Sequence, residues 1–581
     1  MSTTKLSTRA PRWPGTLFWA AAGAVPLAFL AVFFFWPTAQ LVVRGFLDDD
    51  GAWHLSAFVE VFAKPRTWRV IGQTLFQATT ATLLSVVLAL PGAHLLYRRR
   101  FAGQRLIRGL ITVPFVLPSV VVGMAFRSLF SGPLAWTGLD GTVWAIIAAL
   151  VFFNYALVVR TVGAAWQRLD PRPYQAARLL GAGPVRAFFT ITLPRLAPMI
   201  GSAASLVFLF CATSFGTVLM LGGMRTGTVE TEIWLQTMYF LDLEAAAVLS
   251  IVQLVVVCLA LALAGRSRRR RETSLSRTGS VRRATRLNLR SRADQGALAL
   301  TALVSLALSA PILTLVIRSV QAEGGWSLAN YRALGSTGGG ALTVTVWEAA
   351  GNSLRTAVLA TVLALIIGLL VSLVTSRRPR NRWGRSGLAG LDALAMLPLG
   401  VSAVTVGFGY LITFGRPPLG PDTALGAALP WLSELSATIF DVRNPLYLIA
   451  LAQAVVAAPM VVRTVLPVLR SINPRQREVA ATLGAPPRRV LRTIDLPVAA
   501  RALGVAVGFA FAVSLGEFGA TSFLSRPDVP TLPTIIYRLL NRPGADTYGM
   551  ALAASVVLAA ITAGIMMLAE QLRSSQDEAE L

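Results

Sequence analysis

Long apolar runs alternate with short polar segments along the chain, and the alternation runs through the same plan twice. The first set lies near Leu17–Val43, Thr74–Leu96, Leu106–Phe126, Val143–Val162, Leu196–Leu221 and Ala245–Ala264. The second lies near Ala297–Val320, Leu354–Val374, Leu388–Phe414, Leu446–Val465, Ala499–Leu524 and Ala551–Leu568. Each run is near or above the ~20 residues a helix needs to cross a bilayer. Pro114 and Pro118 fall in the third run and predict a kinked helix. Basic residues gather in alternate loops, at Lys5, Arg9 and Arg12, at Arg98–Arg100, Arg105 and Arg108, and at Arg377, Arg378, Arg380, Arg382 and Arg385. By the positive-inside rule those loops and both termini face the cytoplasm. The fold class expected is an all-α membrane protein of about 12 transmembrane helices, built as two tandem six-helix halves.

A polar segment interrupts each half at the same place. Residues 170–194 read DPRPYQAARLLGAGPVRAFFTITLP, and residues 473–497 read NPRQREVAATLGAPPRRVLRTIDLP, 303 positions later. Asp170 and Asn473 suit a helix N-cap, and Pro171 and Pro474 suit the first helical position, which needs no N–H. Gln476 stands at capping-box distance from Asn473. Gly181 and Gly484 predict the left-handed residue that ends a helix. A second short helix is expected from Pro184 or Pro486 to Leu193-Pro194 or Leu496-Pro497. Other pairs keep the 303 offset: Val158–Val162 with Val461–Val465, and Phe215-Gly216 with Phe518-Gly519. Pro114 and Gly123 match Pro398 and Gly407 at 284, which puts extra residues of the second half in the outer loop 416–444. Same-direction repeats of six spans imply a pseudo-two-fold axis along the membrane normal. The halves are 1–265 and 297–581. The segment 266–296, rich in arginine and serine and without apolar periodicity, reads as a disordered cytoplasmic tether whose arginines can meet anionic lipid.

Composition narrows the class. Of 581 residues 55% are apolar and 14% charged, and mean hydropathy is +0.63. The net charge of +26 lies in membrane-flanking loops, which argues against nucleic acid. Cys211 and Cys258 sit in apolar runs as small buried residues, and His54 and His94 stand apart, so no disulfide or metal framework is expected. The first run is too long for a signal peptide. Catalysis is not expected: no His/Asp/Glu cluster and no phosphate-binding glycine loop is present. A twelve-span secondary transporter would carry ionisable residues inside its spans, and apart from Glu517 and the Arg160 and Arg463 pair these spans are almost free of charge. Glu230, Glu232, Asp242 and Glu244 read as an acidic outer loop.

The duplicated element resembles the signature of the permeases of binding-protein-dependent ABC importers. It reads Gln175-Ala176-Ala177, Gly181, Ile191-x-Leu193-Pro194 in the first copy and Glu478-Val479-Ala480, Gly484, Ile494-x-Leu496-Pro497 in the second. Gln175 stands where the family carries an acid, and Val479 where it carries alanine. The resemblance implies that each element is a coupling helix seated on a cytoplasmic ATPase subunit, two copies in all. Solute would arrive from an extracytoplasmic binding protein, and Mg-ATP would be bound by the ATPase and no cofactor by this chain.

The solute path is expected between the halves at Ser214-Phe215-Gly216 and Glu517-Phe518-Gly519. Glu517 is the acid within an apolar run, where a charge costs ~2.5–3.5 kcal/mol, so it faces a path that favours a cation, or is interfacial and either bonds to backbone or contacts the binding protein. Ser214–Leu219, Leu221–Gly223, Thr228, Glu230, Ser514–Gly519 and Thr531–Pro533 resemble the fused thiamine permeases; the fused ferric-iron permeases share the two-half plan. Thiamine or its phosphates is the solute expected, with ferric iron the alternative.

Overall fold

The computed structural model describes residues 13–47, 53, 55–223, 226–275, 284–322, 325–377, 382–415, 434 and 445–578. Among these, nine helices are long and apolar enough to cross a membrane, and three bent pairs bring the number to 12. In the first half we number α1 (Ala21–Arg44), α2 (Pro65–Arg98), α3 (Gln104–Val116), α4 (Ser119–Phe130), α5 (Val143–Arg168), α6 (Arg172–Leu179), α7 (Leu193–Ala212), α8 (Gly216–Gly222), α9 (Val229–Met238) and α10 (Leu243–Ala260). The second half repeats them as α11 (Arg292–Ser319), α12 (Val346–Thr375), α13 (Gly384–Leu399), α14 (Ala403–Phe414), α15 (Leu446–Ser471), α16 (Pro474–Thr482), α17 (Leu496–Gly516), α18 (Thr521–Leu524), α19 (Leu532–Leu540) and α20 (Ala545–Ala569). The predicted insertion at 416–444 lies outside the described residues, apart from 434.

The halves exchange their first helices. The C-terminal part of α1 packs on α14 and its N-terminal part on α12, while α11 packs on α2 and α4. Within each half the main pairing is equivalent, α2 on α5 and α12 on α15.

Prolines set the irregular points. The kink expected at Pro114 and Pro118 is a break of 103° between the α3 segment and α4, and α13 meets α14 at 94°. The short helices after Gly181 and Gly484 do not stop at Leu-Pro. Each passes through a single π turn, Phe188–Thr192 or Leu491–Asp495, into the following span. Pro194 and Pro497 have no N–H for the regular ladder, and the preceding Leu193 and Leu496 bond five residues back, to Phe188 and Leu491. The same turn precedes Trp36-Pro37, with Trp36 N–H on the Ala31 carbonyl.

Three expectations change. The acidic outer loop is a buried helix: Glu230 is 0% and Glu232 3% exposed on α9. Partners distant in sequence make this tolerable, as described below. The described ends of the tether are ordered: the helix from Leu243 runs to Leu275, and Thr285–Arg286 pairs in parallel with Arg99–Arg100. Asp294, fully buried, accepts the Arg99 guanidinium at 2.9 Å and the Asn288 N–H at 3.2 Å. Cys211 is buried, but Cys258 is exposed on the outer face of its helix.

Candidate translocation path and coupling elements

A cavity of about 760 Å³ lies between the halves. Its walls run from Tyr97 and Ala164 to Ser214, Thr217 and Gly516, and Phe153, Phe210 and Phe509 supply aromatic surface. The repeated Val-Val-Arg-Thr-Val motifs meet here, with Arg160, Thr161, Arg463 and Thr464 all on the wall. The arginine pair expected near the cytoplasmic helix ends is exposed to the cavity. Among the described wall residues none is acidic.

Four aromatic rings meet next to the wall residues Ser214 and Gly516. Phe215 and Phe518 stack across the two halves, centroids 5.4 Å apart and planes at 22°. Trp234 on α9 and Tyr537 on α19 meet edge to face at 5.6 Å. Phe215 touches Trp234 at 6.2 Å and Phe518 touches Tyr537 at 5.7 Å, which completes the ring of contacts. All of these spacings fall in the favourable 4.5–7 Å range for aromatic pairs. Trp234 and Tyr537 were not singled out from sequence, yet they too are 303 apart.

Glycines permit the close packing. A Cβ on Gly216 would lie 2.5 Å from the Ser119 hydroxyl at the start of α4, and one on Gly519 2.8 Å from Ala403 Cβ at the start of α14. Both halves therefore make the same contact. Helices α9 and α19 are held by matching threonine turns, with Thr228 N–H donating to the Thr231 hydroxyl at 2.7 Å and Thr531 N–H to that of Thr534 at 3.0 Å.

Glu517 does not line the cavity. It is 7% exposed, and its carboxylate accepts the Ala520 N–H at 2.7 Å, the Thr521 N–H at 3.0 Å and the Thr521 hydroxyl at 2.7 Å. The acid is spent on the start of α18, as a capping side chain is. Its backbone-bonding alternative is the one realised. Buried Glu230 ties the halves together instead, accepting Gln253 Nε2 at 2.8 Å and the Ser402 hydroxyl of the second half at 2.5 Å. Glu232 takes the Arg66 guanidinium in a two-point contact, at 2.8 and 3.0 Å.

The duplicated elements share one shape. Asp170 Oδ1 accepts Arg172 N–H and Asn473 Oδ1 accepts Arg475 N–H, each at 3.1 Å. The cap bond goes to the second residue beyond the cap; Gln476 donates its backbone N–H to the Asn473 carbonyl and makes no capping box. Gly181 (φ +86) and Gly484 (φ +79) are left-handed. The next residue donates back five positions in each copy, Ala182 to Ala177 and Ala485 to Ala480, both at 2.9 Å. Gln175, Ala176 and Glu478 are exposed, Ala177 and Ala480 half-buried, and Leu180 and Leu483 stand 88% and 82% exposed. Leu193-Pro194 and Leu496-Pro497 open the spans α7 and α17.

The copies differ underneath. Asp495, 0% exposed, takes Arg477 of α16 at 2.8 Å and Arg377 at the end of α12 at 2.5 Å. The first copy has Tyr174 and Thr192 at those two positions of the element.

Two helical halves around a central cavity, each carrying a capped element at one end, define a two-half membrane permease. The chain belongs to the family of binding-protein-dependent transport system inner membrane components, whose model matches residues 81–272 and 365–575. It is a fused two-half permease of an ABC importer. The thiamine transport system permease protein ThiP of Brucella abortus (strain 2308) is 28% identical, with 96% of each chain covered. ThiP of Escherichia coli (strain K12) is 27% identical over 83% of this chain and 85% of its own. The molybdate/tungstate transport system permease protein WtpB of Pyrococcus furiosus is 28% identical over 33% of this chain and 73% of its own.

Proposed function

We propose that this chain is the membrane path of an importer for thiamine or its phosphates. Full-length similarity to the thiamine permeases carries the choice of solute. The cavity fits it: aromatic walls suit flat rings, and Arg160 and Arg463 suit a phosphate ester. A ferric ion would find no acidic ligand among the described wall residues.

The arginine-rich loops and both termini face the cytoplasm. The cavity then opens inward, and the four rings form its outer gate. An extracytoplasmic binding protein delivers solute above the rings. Two copies of a cytoplasmic ABC ATPase, a separate polypeptide that binds Mg-ATP, seat on residues 170–194 and 473–497. Exposed Gln175, Ala176, Glu478, Leu180 and Leu483 supply the contact, and Gly181 and Gly484 fix its shape. Closure of the ATPases draws the elements together, rocks the halves about their axis and parts Phe215 from Phe518.

The test is uptake by cells that lack their own thiamine importer, supplied with this chain, an ABC ATPase and a thiamine-binding protein. ATP-dependent accumulation of labelled thiamine or thiamine phosphate is expected. Accumulation of ferric iron without thiamine would overturn the solute.

A further inference from the structure

A second cavity, of about 800 Å³, lies between the first half and α11, beside the start of α6. Its deeper wall is apolar and belongs to membrane-spanning helices, with Val87 and Leu90 of α2 and Leu300 of α11. These helices face the bilayer at this level: Val87 is 54% exposed, and Leu303 on α11 62%. The rim at the arginine-rich end carries Arg98, Arg99, Arg195 and Arg292 against one carboxylate, Asp170, and Arg99 is held by Asp294 at 2.9 Å. Arg98 donates to the Trp166 carbonyl at 3.4 Å. Arg195 and Arg292 are exposed and, among the described residues, make no hydrogen bond or ion pair. Tyr174, on α6, forms part of the wall.

The second half is built differently at the matching positions. Arg477 replaces Tyr174 and Asp495 replaces Thr192, and the ion-paired Arg377 lies 4.2 Å from the ring centre of Trp19. There the cations are neutralised by the chain itself. Here Arg195 and Arg292 stand over an apolar slot that opens to the bilayer, which is the outline of an amphiphile with a negative head.

We propose that this cavity binds one phospholipid with an anionic headgroup from the cytoplasmic leaflet. Arg195 and Arg292 hold the phosphate, and an acyl chain lies along Val87, Leu90 and Leu300. The leaflet rests on the orientation given under the proposed function; the binding itself does not depend on transport. Because Tyr174 forms part of the wall, an occupied cavity braces the first element on the side where the second has its Asp495 ion pairs.

The full chain, purified in a neutral detergent and titrated with phosphatidylglycerol or phosphatidylcholine of identical acyl chains, tests this by native mass spectrometry. One phosphatidylglycerol per chain should be retained, and phosphatidylcholine should be lost. Arg195→Gln/Arg292→Gln should weaken retention about 30-fold, at ~1 kcal/mol per arginine near a membrane surface. Leu300→Trp, which fills the apolar end and leaves the arginines in place, should also release the lipid. Equal retention of the two lipids, retention unchanged in both variants, or displacement by millimolar inorganic phosphate would overturn the proposal. Retention is read without ATPase or solute, so failure of the transport assignment leaves this result standing.

Discussion

Phe215 and Phe518 occupy equivalent places in the two halves, 303 positions apart, and their rings stack at 5.4 Å on the line between them. A pair of this kind contributes ~0.5–1.5 kcal/mol beyond the area it buries. Replacing Phe518 by alanine removes the stack and its contact with Tyr537. The closed state should weaken by about 1–3 kcal/mol in all, a roughly 5- to 150-fold shift toward opening. Vesicles bearing F518A should leak small solutes without ATP and hydrolyse ATP with less uptake per turnover.

Glu517→Gln should alter stability and leave selectivity alone. The amide keeps one acceptor oxygen where the carboxylate satisfies three donors. Leaving a buried donor unpaired costs ~1–3 kcal/mol. A lower melting temperature in detergent, with an unchanged preference between thiamine and its phosphates, is the expected outcome; a changed preference would return this acid to the path.

Arg160→Gln/Arg463→Gln should have the converse effect. Both side chains face the cavity, so replacing them takes away the groups suited to phosphate. Uptake of thiamine phosphate should fall at least about tenfold, the equivalent of ~1.4 kcal/mol. Uptake of free thiamine should change by much less, as competition between the two labelled solutes would reveal.

Asp495→Asn breaks two arginine contacts at a fully buried site. Leaving buried charge without its partner costs on the order of 3 kcal/mol. Thiol labelling of a cysteine placed at Thr482 should then speed up as α16 loosens. Thr192→Val, at the matching place in the first half, should leave its own element undisturbed. The two halves would thereby differ in how firmly each element is held.

What could be read from the chain was whatever depended on neighbours in sequence. Spans follow from the length of apolar runs, and the left-handed ends at Gly181 and Gly484 follow from the absence of a Cβ. Contacts between distant segments were not legible. Glu230 and Glu232 looked like an outer loop because their partners Gln253, Ser402 and Arg66 lie 23, 172 and 166 positions away. The exchange of α1 and α11 between halves leaves no local mark. Trp234 and Tyr537 did carry a signal, the constant 303 offset, also seen in Thr228 with Thr531 and Thr231 with Thr534. Extending the repeat beyond Gly216 would have found all four rings.

Transport by the proposed cycle needs a cavity that opens to one side at a time, closed outwardly by the rings. Ser214 lies on its wall, adjacent to Phe215. A Ser214→Cys chain, assembled with its ATPase, can be exposed to a membrane-impermeant maleimide from either face of the vesicle. Without nucleotide the cysteine should label from the cytoplasmic face and resist labelling from outside. With binding protein and ATP held unhydrolysed, the preference should reverse. Labelling from outside in the nucleotide-free state, or a pattern indifferent to ATP, would contradict a gate at Phe215 and Phe518.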